Sequence, residues 1–150
     1  MTPAAVTIRP VEEADLPILY DHRADPLASE MAVVPARTKP EFMAQWATIL
    51  ADEATAARAI VADGTVVGMI LSWVEDGDRT VGYWIGREHW GRGYATRGLA
   101  LLAAEIAERP LMANVADTNT GSRRVLEHCG FVRVGGGEVD GVRESTYRLA

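Results

Sequence analysis

The sequence predicts an α+β domain: one mixed, mostly antiparallel sheet flanked by helices. Three observations carry that expectation. Arg58–Ala62, Thr65–Val74 and Thr80–Ile85 are β-prone runs in succession, separated by Asp63-Gly64 and by Asp76-Gly77-Asp78. Asp-Gly between such runs signals a hairpin, because both central residues of the tight turn need positive φ. The meander is then interrupted by one strand–helix–strand unit, Thr80 to Ala116. Phe131–Val134 and Glu144–Leu149 finally read as a closing antiparallel pair, joined through Gly135-Gly136-Gly137 and Asp140-Gly141.

Taken in order, Val6–Arg9 is a short strand, and Asp15 is placed to cap a short helix through Leu16 and Tyr20. Asp21–Arg37 holds Pro26 and Pro35 without a clean period and reads as a loop with one helical turn at most. Thr38-Lys39-Pro40-Glu41 has the form of a capping box with proline in the first turn. Phe42, Trp46, Ile49 and Leu50 then recur at helical spacing to about Ala51, with Phe42, Trp46 and Ile49 as helix core before any aromatic substrate box. Ala95–Glu108 is a helix nearly free of charge apart from Arg97, Glu105 and Glu108, so most of its surface is expected to be buried, with Pro110 as its stop. Leu111–Ala116 is a strand, and Thr120 to about Cys129 a helix ended by Gly130.

Composition narrows the function classes. The chain has 150 residues, 48% hydrophobic and 24% charged, which suits one globular core and a single domain over 1–150. A formal charge of −6 sets it against phosphate backbones and anionic lipid, so neither nucleic acid nor membrane is an expected partner. The single cysteine excludes an internal disulfide framework. Met1-Thr2-Pro3 opens on a mixed segment without an apolar h-region, so the expected location is cytoplasmic. His22, His89 and His128 show no metal-ligand spacing, and no metal is expected. His89 reads as a solvated residue and Cys129 as a buried inert thiol.

The chemistry should lie between Tyr83 and Thr96. A strand delivers the chain to Gly91-Arg92-Gly93-Tyr94-Ala95, which opens an apolar helix. Small residues let backbone approach a ligand, and the free N–H groups of the helix start favour an anion. Arg92 and Thr96 add a charge and a hydroxyl, making a cradle suited to a pyrophosphate. No Gly-x-x-x-x-Gly-Lys-Ser/Thr string is present, and Thr96 stands where a dinucleotide fingerprint has its third glycine. A tight turn without a ligand is the competing reading of the glycines. A right-handed crossover brings the start of the second helix, Asn119 and Ser122, beside this loop.

Trp90-Gly91-Arg92-Gly93-Tyr94-Ala95-Thr96 and the Asn119, Ser122, Gly130-Phe131 string resemble motifs A and B of the Gcn5-related N-acetyltransferases. Trp90 replaces the usual Gln or Arg, a form similar to the branch containing the ribosomal-protein N-terminal acetyltransferases. The resemblance covers nearly the whole chain and implies the acyl-CoA N-acyltransferase fold. It also implies acetyl-CoA as co-substrate, no metal, and a primary amine as acceptor, either a small molecule or a protein N-terminus. Tyr83, Trp84 and Ile85 would pair with the pantetheine arm as an added strand, and a backbone N–H near Ile85 would face the thioester carbonyl. Gly91, Arg92, Gly93, Tyr94, Ala95 and Thr96 would hold the pyrophosphate, with Asn119 also on the cofactor.

Many family members protonate the leaving thiolate with a tyrosine in the second helix; that position here is Leu126. Ser122 is the replacement the branch suggests, against a plain capping role at the helix start. Either Arg123 or Arg124 could reach the 3′-phosphate. The base is unassigned among Glu12, Glu13, Asp25, Glu30, Glu75 and water. The acceptor is expected between Asp21–Arg37 and the Gly135–Gly141 turn, and its identity stays open: protein N-terminus, amino acid, polyamine or antibiotic amine. A homodimer is compatible with this reading. The competing class is a non-catalytic acyl-CoA-binding sensor or scaffold module.

Overall fold

The computed structural model describes residues 5–150, so the opening Met1-Thr2-Pro3 lies outside the described residues. Seven strands form one sheet in the order β1-β2-β3-β4-β5-β7-β6. They are β1 (Val6–Pro10), β2 (Ala56–Ala62), β3 (Thr65–Glu75), β4 (Asp78–Ile85), β5 (Leu111–Ala116), β6 (Val132–Val139) and β7 (Val142–Leu149). All neighbours are antiparallel except β4 and β5, whose connection carries a helix. The three tight hairpins have the same turn: Asp63-Gly64, Asp76-Gly77 and Asp140-Gly141 each hold φ near +50° at aspartate and above +80° at glycine. Both central residues are left-handed, the geometry that lets a two-residue turn follow the strands' twist.

Among the described residues, five α-helices flank this sheet: α1 (Leu16–Ala24), α2 (Pro26–Ala32, packed on α1), α3 (Lys39–Ala51), α4 (Tyr94–Glu105) and α5 (Thr120–His128). One core joins Ile60, Ile70, Leu99, Leu102, Leu111, Leu126 and Tyr147 beneath α4 and α5. The other joins Leu16, Leu19, Phe42, Trp46 and Ala59 beneath α1 and α3. The Thr38 box forms as expected, with Glu41 N–H on Thr38 Oγ1 at 3.3 Å and Thr38 N–H on Glu41 Oε1 at 3.0 Å.

Four expectations are corrected. The segment 21–37 is mostly helical: α1 runs on to Ala24, and α2 begins with Pro26 in its first turn, Asp25 Oδ1 accepting from Leu27 and Ala28. Proline read as a breaker is here a starter. Helix α4 ends at Glu105 and is buried on one side only, through Tyr94, Gly98, Leu99 and Leu102, with Leu101 exposed. Arg109 closes its end by donating to the carbonyls of Ala103 and Ile106. Gly135-Gly136-Gly137 lies inside β6, where the register shifts, and only Asp140-Gly141 turns. At Gly136 an added Cβ would sit 2.7 Å from the Glu144 carbonyl oxygen, so the strand needs a residue without one.

Asp15 precedes α1 but does not cap it with its side chain. Its carboxylate instead takes two hydrogen bonds from Arg9, at 2.7 and 2.9 Å, and one from Glu12 N–H at 2.8 Å. The Arg9 bonds, with the backbone donor behind them, hold the Asp15 carboxyl below its ordinary pKa. A depressed carboxylate stabilises the fold above its unfolded pKa of about 3.9, and that contribution is lost as pH falls through the lower folded value. Asp15→Asn should therefore cost about 1–2 kcal/mol at pH 7, discounted because Arg9 reaches solvent. The loss should shrink toward zero in acid, which urea melts at pH 7 and pH 3 would read.

Candidate active site

Strand β4 is bonded along its length to β3, with Trp84 opposite Met69 and Ile85 opposite Gly68. On its other side the register with β5 ends at Thr80, so residues 81–85 have left the neighbouring strand. Gly86 N–H bonds to Val67 O on β3 at 2.9 Å. Peptide groups alternate direction along a strand, so the N–H and C=O of Ile85 and Tyr83 face the opened side. The Ile85 carbonyl is taken by Trp90 Nε1 at 2.9 Å. The Trp90 indole thus ties the glycine turn to the end of β4.

The splay opens a cleft of about 560 Å³. Tyr83, Trp84, Ile85, Gly91, Gly93, Tyr94, Ala95, Thr96, Asn119 and Ser122 all border it, so ten of the eleven residues expected from sequence come together. Arg92 is the exception: exposed, it lies outside the cleft wall. Gly91 and Gly93 both have φ +78°, and nothing stands within 4 Å of a Cβ at either. Gly93 is the N-cap of α4, so the helix's first N–H groups open toward the cleft.

Across the cleft, Asn119 caps α5 by accepting from Ser122 N–H at 3.2 Å. The Ser122 hydroxyl is free of that task and lies 2.7 Å from Tyr83 Oη, which is also 3.0 Å from the Ser122 carbonyl oxygen. Burial pushes the Tyr83 phenol far above its ordinary pKa, so it stays protonated. Arg123 is committed to Tyr147 Oη and Asp117 O, which leaves Arg124 as the arginine of that pair on the cleft. Leu126 is fully buried in the core and offers no proton. Cys129 is half-buried rather than buried; it donates to Thr96 O at 3.3 Å, and burial raises its pKa, so the thiol stays unreactive.

The structure adds residues that spacing along the chain did not suggest. His89 is only 19% exposed and borders the cleft, not bulk solvent as expected. His22, 67 positions earlier, comes ring to ring with it at 5.9 Å, and Glu88 completes a group whose candidate ligand atoms lie within 4.8 Å of one another. His22 is buried with Nδ1 unpartnered, and burial followed by the neighbouring His89 lowers its pKa. Its ring packs on Gly86, where a Cβ would meet it at 2.5 Å. From α2, Ala28, Met31 and Ala32 form the far wall, whereas no residue of 135–141 borders the cleft. Asp25 is tied to Arg87 at 2.7 Å and caps α2, which removes it from the candidate bases.

A sheet splayed beside a glycine turn, with a helix start aimed at the opening, defines an acyl-CoA N-acyltransferase architecture. The chain belongs to the GNAT acetyltransferases: the family model described as "Acetyltransferase (GNAT) domain" matches residues 5–132. Among solved structures, the aminoglycoside acetyltransferase AAC(6′)-Ib in complex with coenzyme A is similar over 97% of this chain and 95% of its own, with a TM-score of 0.84 at 19% identity. A GNAT-family acetyltransferase from Bacillus anthracis is similar over 96% and 93%, with a TM-score of 0.83 at 17% identity. Spermidine N-acetyltransferase from Vibrio cholerae, in complex with CoA and spermine, is similar over 95% and 92%, with a TM-score of 0.79 at 17% identity. A search of curated proteins finds no significant match. Among the described residues, no helix is long and apolar enough to cross a membrane.

Proposed function

We propose that this protein transfers an acetyl group from acetyl-CoA to a primary amine, on a small molecule or at a protein N-terminus, by direct attack in a ternary complex. The observation that carries the reading is the β4 edge at 81–85, freed from β5 and bordered by the Gly91–Thr96 turn at one end and Ser122 at the other. The cleft fits the group: a strand edge for an extended amide-bearing arm, and an uncrowded glycine turn at a helix start for a pyrophosphate. Acetyl-CoA, when bound, supplies an activated thioester, so the chain's own work is positioning and proton transfer.

The Ile85 N–H faces the opened side and is the donor for the thioester oxygen, its peptide held by the pairing of Trp84 and Ile85 with Met69 and Gly68 on β3. Ser122 gives its hydroxyl proton to the departing sulfur and regains one from solvent, while the Tyr83 hydroxyl, 2.7 Å from Ser122 Oγ, holds that oxygen in place. The amine nitrogen forms its bond to the acetyl carbon as the carbon–sulfur bond breaks, and its surplus proton passes to His89 on the cleft wall or to water.

Acetyl-CoA should raise the melting temperature where NADH and ATP do not; a shift with either control and none with the thioester would remove the reading. Thiol release over an amine panel separates an enzyme from an acyl-CoA-binding module, which would bind without turnover. Ser122→Ala should lower kcat on the order of tenfold to a hundredfold with acetyl-CoA affinity nearly unchanged, the size of a modest general-acid effect on a good leaving group. Unchanged kcat near pH 7 would assign the proton to water.

A further inference from the structure

Behind the cleft, on the α1–α3 side of the sheet, lies a second cavity of about 130 Å³. Trp84, near the end of β4, borders both spaces, so the cavity adjoins the cleft there. Its floor is apolar, from Leu19, Phe42, Trp46, Ile49, Met69 and Leu71. Its charges are of one sign: Arg23 and Arg37 border it, and no aspartate or glutamate does. In a chain with six more acidic than basic side chains, a cavity with two guanidiniums and no carboxylate is an exception.

Among the described residues, neither arginine forms an ion pair. Arg23 is half-buried and stacks on Trp84 with its guanidinium carbon 5.0 Å from the ring centroid. It donates to Ser29 Oγ at 3.1 Å and Pro35 O at 2.8 Å, both uncharged acceptors. Burial and the charge of Arg37 both lower its pKa, yet guanidinium remains protonated at any working pH. Arg37 is itself half-buried, and among the described residues no carboxylate forms an ion pair with it. Glu41, whose carboxylate feels Arg37, is held instead in the capping box by Thr38 N–H. By contrast Arg9, Arg58, Arg79 and Arg87 each meet an acid within 3.1 Å. Two partly desolvated like charges side by side cost stability unless an anion enters between them.

We propose that Arg23 and Arg37 bind the carboxylate of the acceptor, so that the substrate class is a primary amine carrying a carboxylate and an apolar body, as in an apolar amino acid. The inference rests on the acetyl-transfer reading and narrows it. The planar fork of a guanidinium matches a carboxylate, the apolar floor receives the side chain, and the adjoining amine is presented at Trp84, where the cavity meets the cleft. A polycation such as spermine would meet repulsion here rather than recognition.

The test has two arms. In the first, leucine, methionine and phenylalanine are compared with their amides and with spermine and kanamycin in a thiol-release assay, with a peptide bearing a free N-terminus and no nearby carboxylate as a further arm. The acids should exceed their amides at least tenfold in kcat/KM, mainly through KM, and Arg37→Gln should collapse that preference toward one while Arg37→Lys restores part of it. In the second, binding of the same acids and amides to the CoA-saturated and CoA-free protein is followed by calorimetry, with wild type against Arg37→Gln. Amides, peptide or polyamines performing as well as the acids would overturn the proposal. So would CoA binding with no carboxylate-dependent binding in either arm. Failure of acetyl-CoA itself to bind strikes the acetyl-transfer reading instead, and the CoA-free calorimetry still decides whether the two arginines hold a carboxylate.

Discussion

Replacing Gly93 with valine should weaken acetyl-CoA binding at least a hundredfold while the protein remains folded. Gly93 holds φ +78°, which a β-branched residue tolerates poorly, and the strain should cost about 1–2 kcal/mol. Nothing lies within 4 Å of a Cβ there, so no packing clash adds to that cost. The new side chain would instead occupy the open space before α4, where backbone N–H groups must meet the phosphates. Gly64 provides the control, with φ +82° and equally open surroundings in the β2–β3 turn. Gly64→Val should lower the melting temperature by a similar amount and leave binding intact. Calorimetric titration with acetyl-CoA on both variants separates strain from blockage, and equal affinities would show that the turn does not approach the ligand.

The part of the cleft around the glycine turn is legible in the sequence because it is local. Gly91, Gly93 and the helix they start lie within one short stretch, and Asn119 and Ser122 stand at the start of the next helix, so chirality of the crossover alone puts them together. Arg92 was included on charge, but the turn that frees the glycines leaves its side chain outside the wall. The surroundings of His22 and Arg37 are not legible in the same way. His22 meets His89 only because α1 crosses the end of β4, and Arg37 faces Arg23 only because α2 folds the intervening segment back. No spacing rule connects such pairs. Helix α2 is hidden in the sequence because Pro26 and Pro35 read as breaks, although Asp25-Pro26 is a cap followed by a permitted first-turn proline.

Strand glycines form a second class of missed signal, because a glycine inside a strand carries no pattern of its own. Gly82 lies against Trp73, at 3.1 Å from a would-be Cβ, and Gly86, just past the end of β4, lies against the His22 ring. Each lets a bulky side chain cross the sheet surface close to β4. The tightest of them is Gly68, and it fixes the strand on which the proposed chemistry depends.

Gly68→Ala should therefore be the most damaging small substitution near the site. Gly68 is opposite Ile85, and a Cβ would come 2.3 Å from the Trp84 carbonyl oxygen and 2.8 Å from Ile85 Cδ1. The first of these is backbone in the middle of a bonded pair, so relief requires β4 to move away from β3. Overpacking of this kind should cost about 3 kcal/mol, roughly 6–12 °C in melting temperature for a chain of this size. The movement would displace the Ile85 peptide, so acetyl-CoA affinity should fall as well, beyond what lost stability explains when measured well below the melting point. Gly98→Ala is the contrast: its Cβ would meet Ile60 Cδ1 at 2.7 Å, the end of a flexible side chain, and alanine gains about 1 kcal/mol of helix propensity in α4. That variant should stay within about 1 kcal/mol of wild type and keep full affinity. Were Gly68→Ala equally mild, β4 would have room to shift against β3, and the fixed orientation assigned to the Ile85 N–H would have to be abandoned.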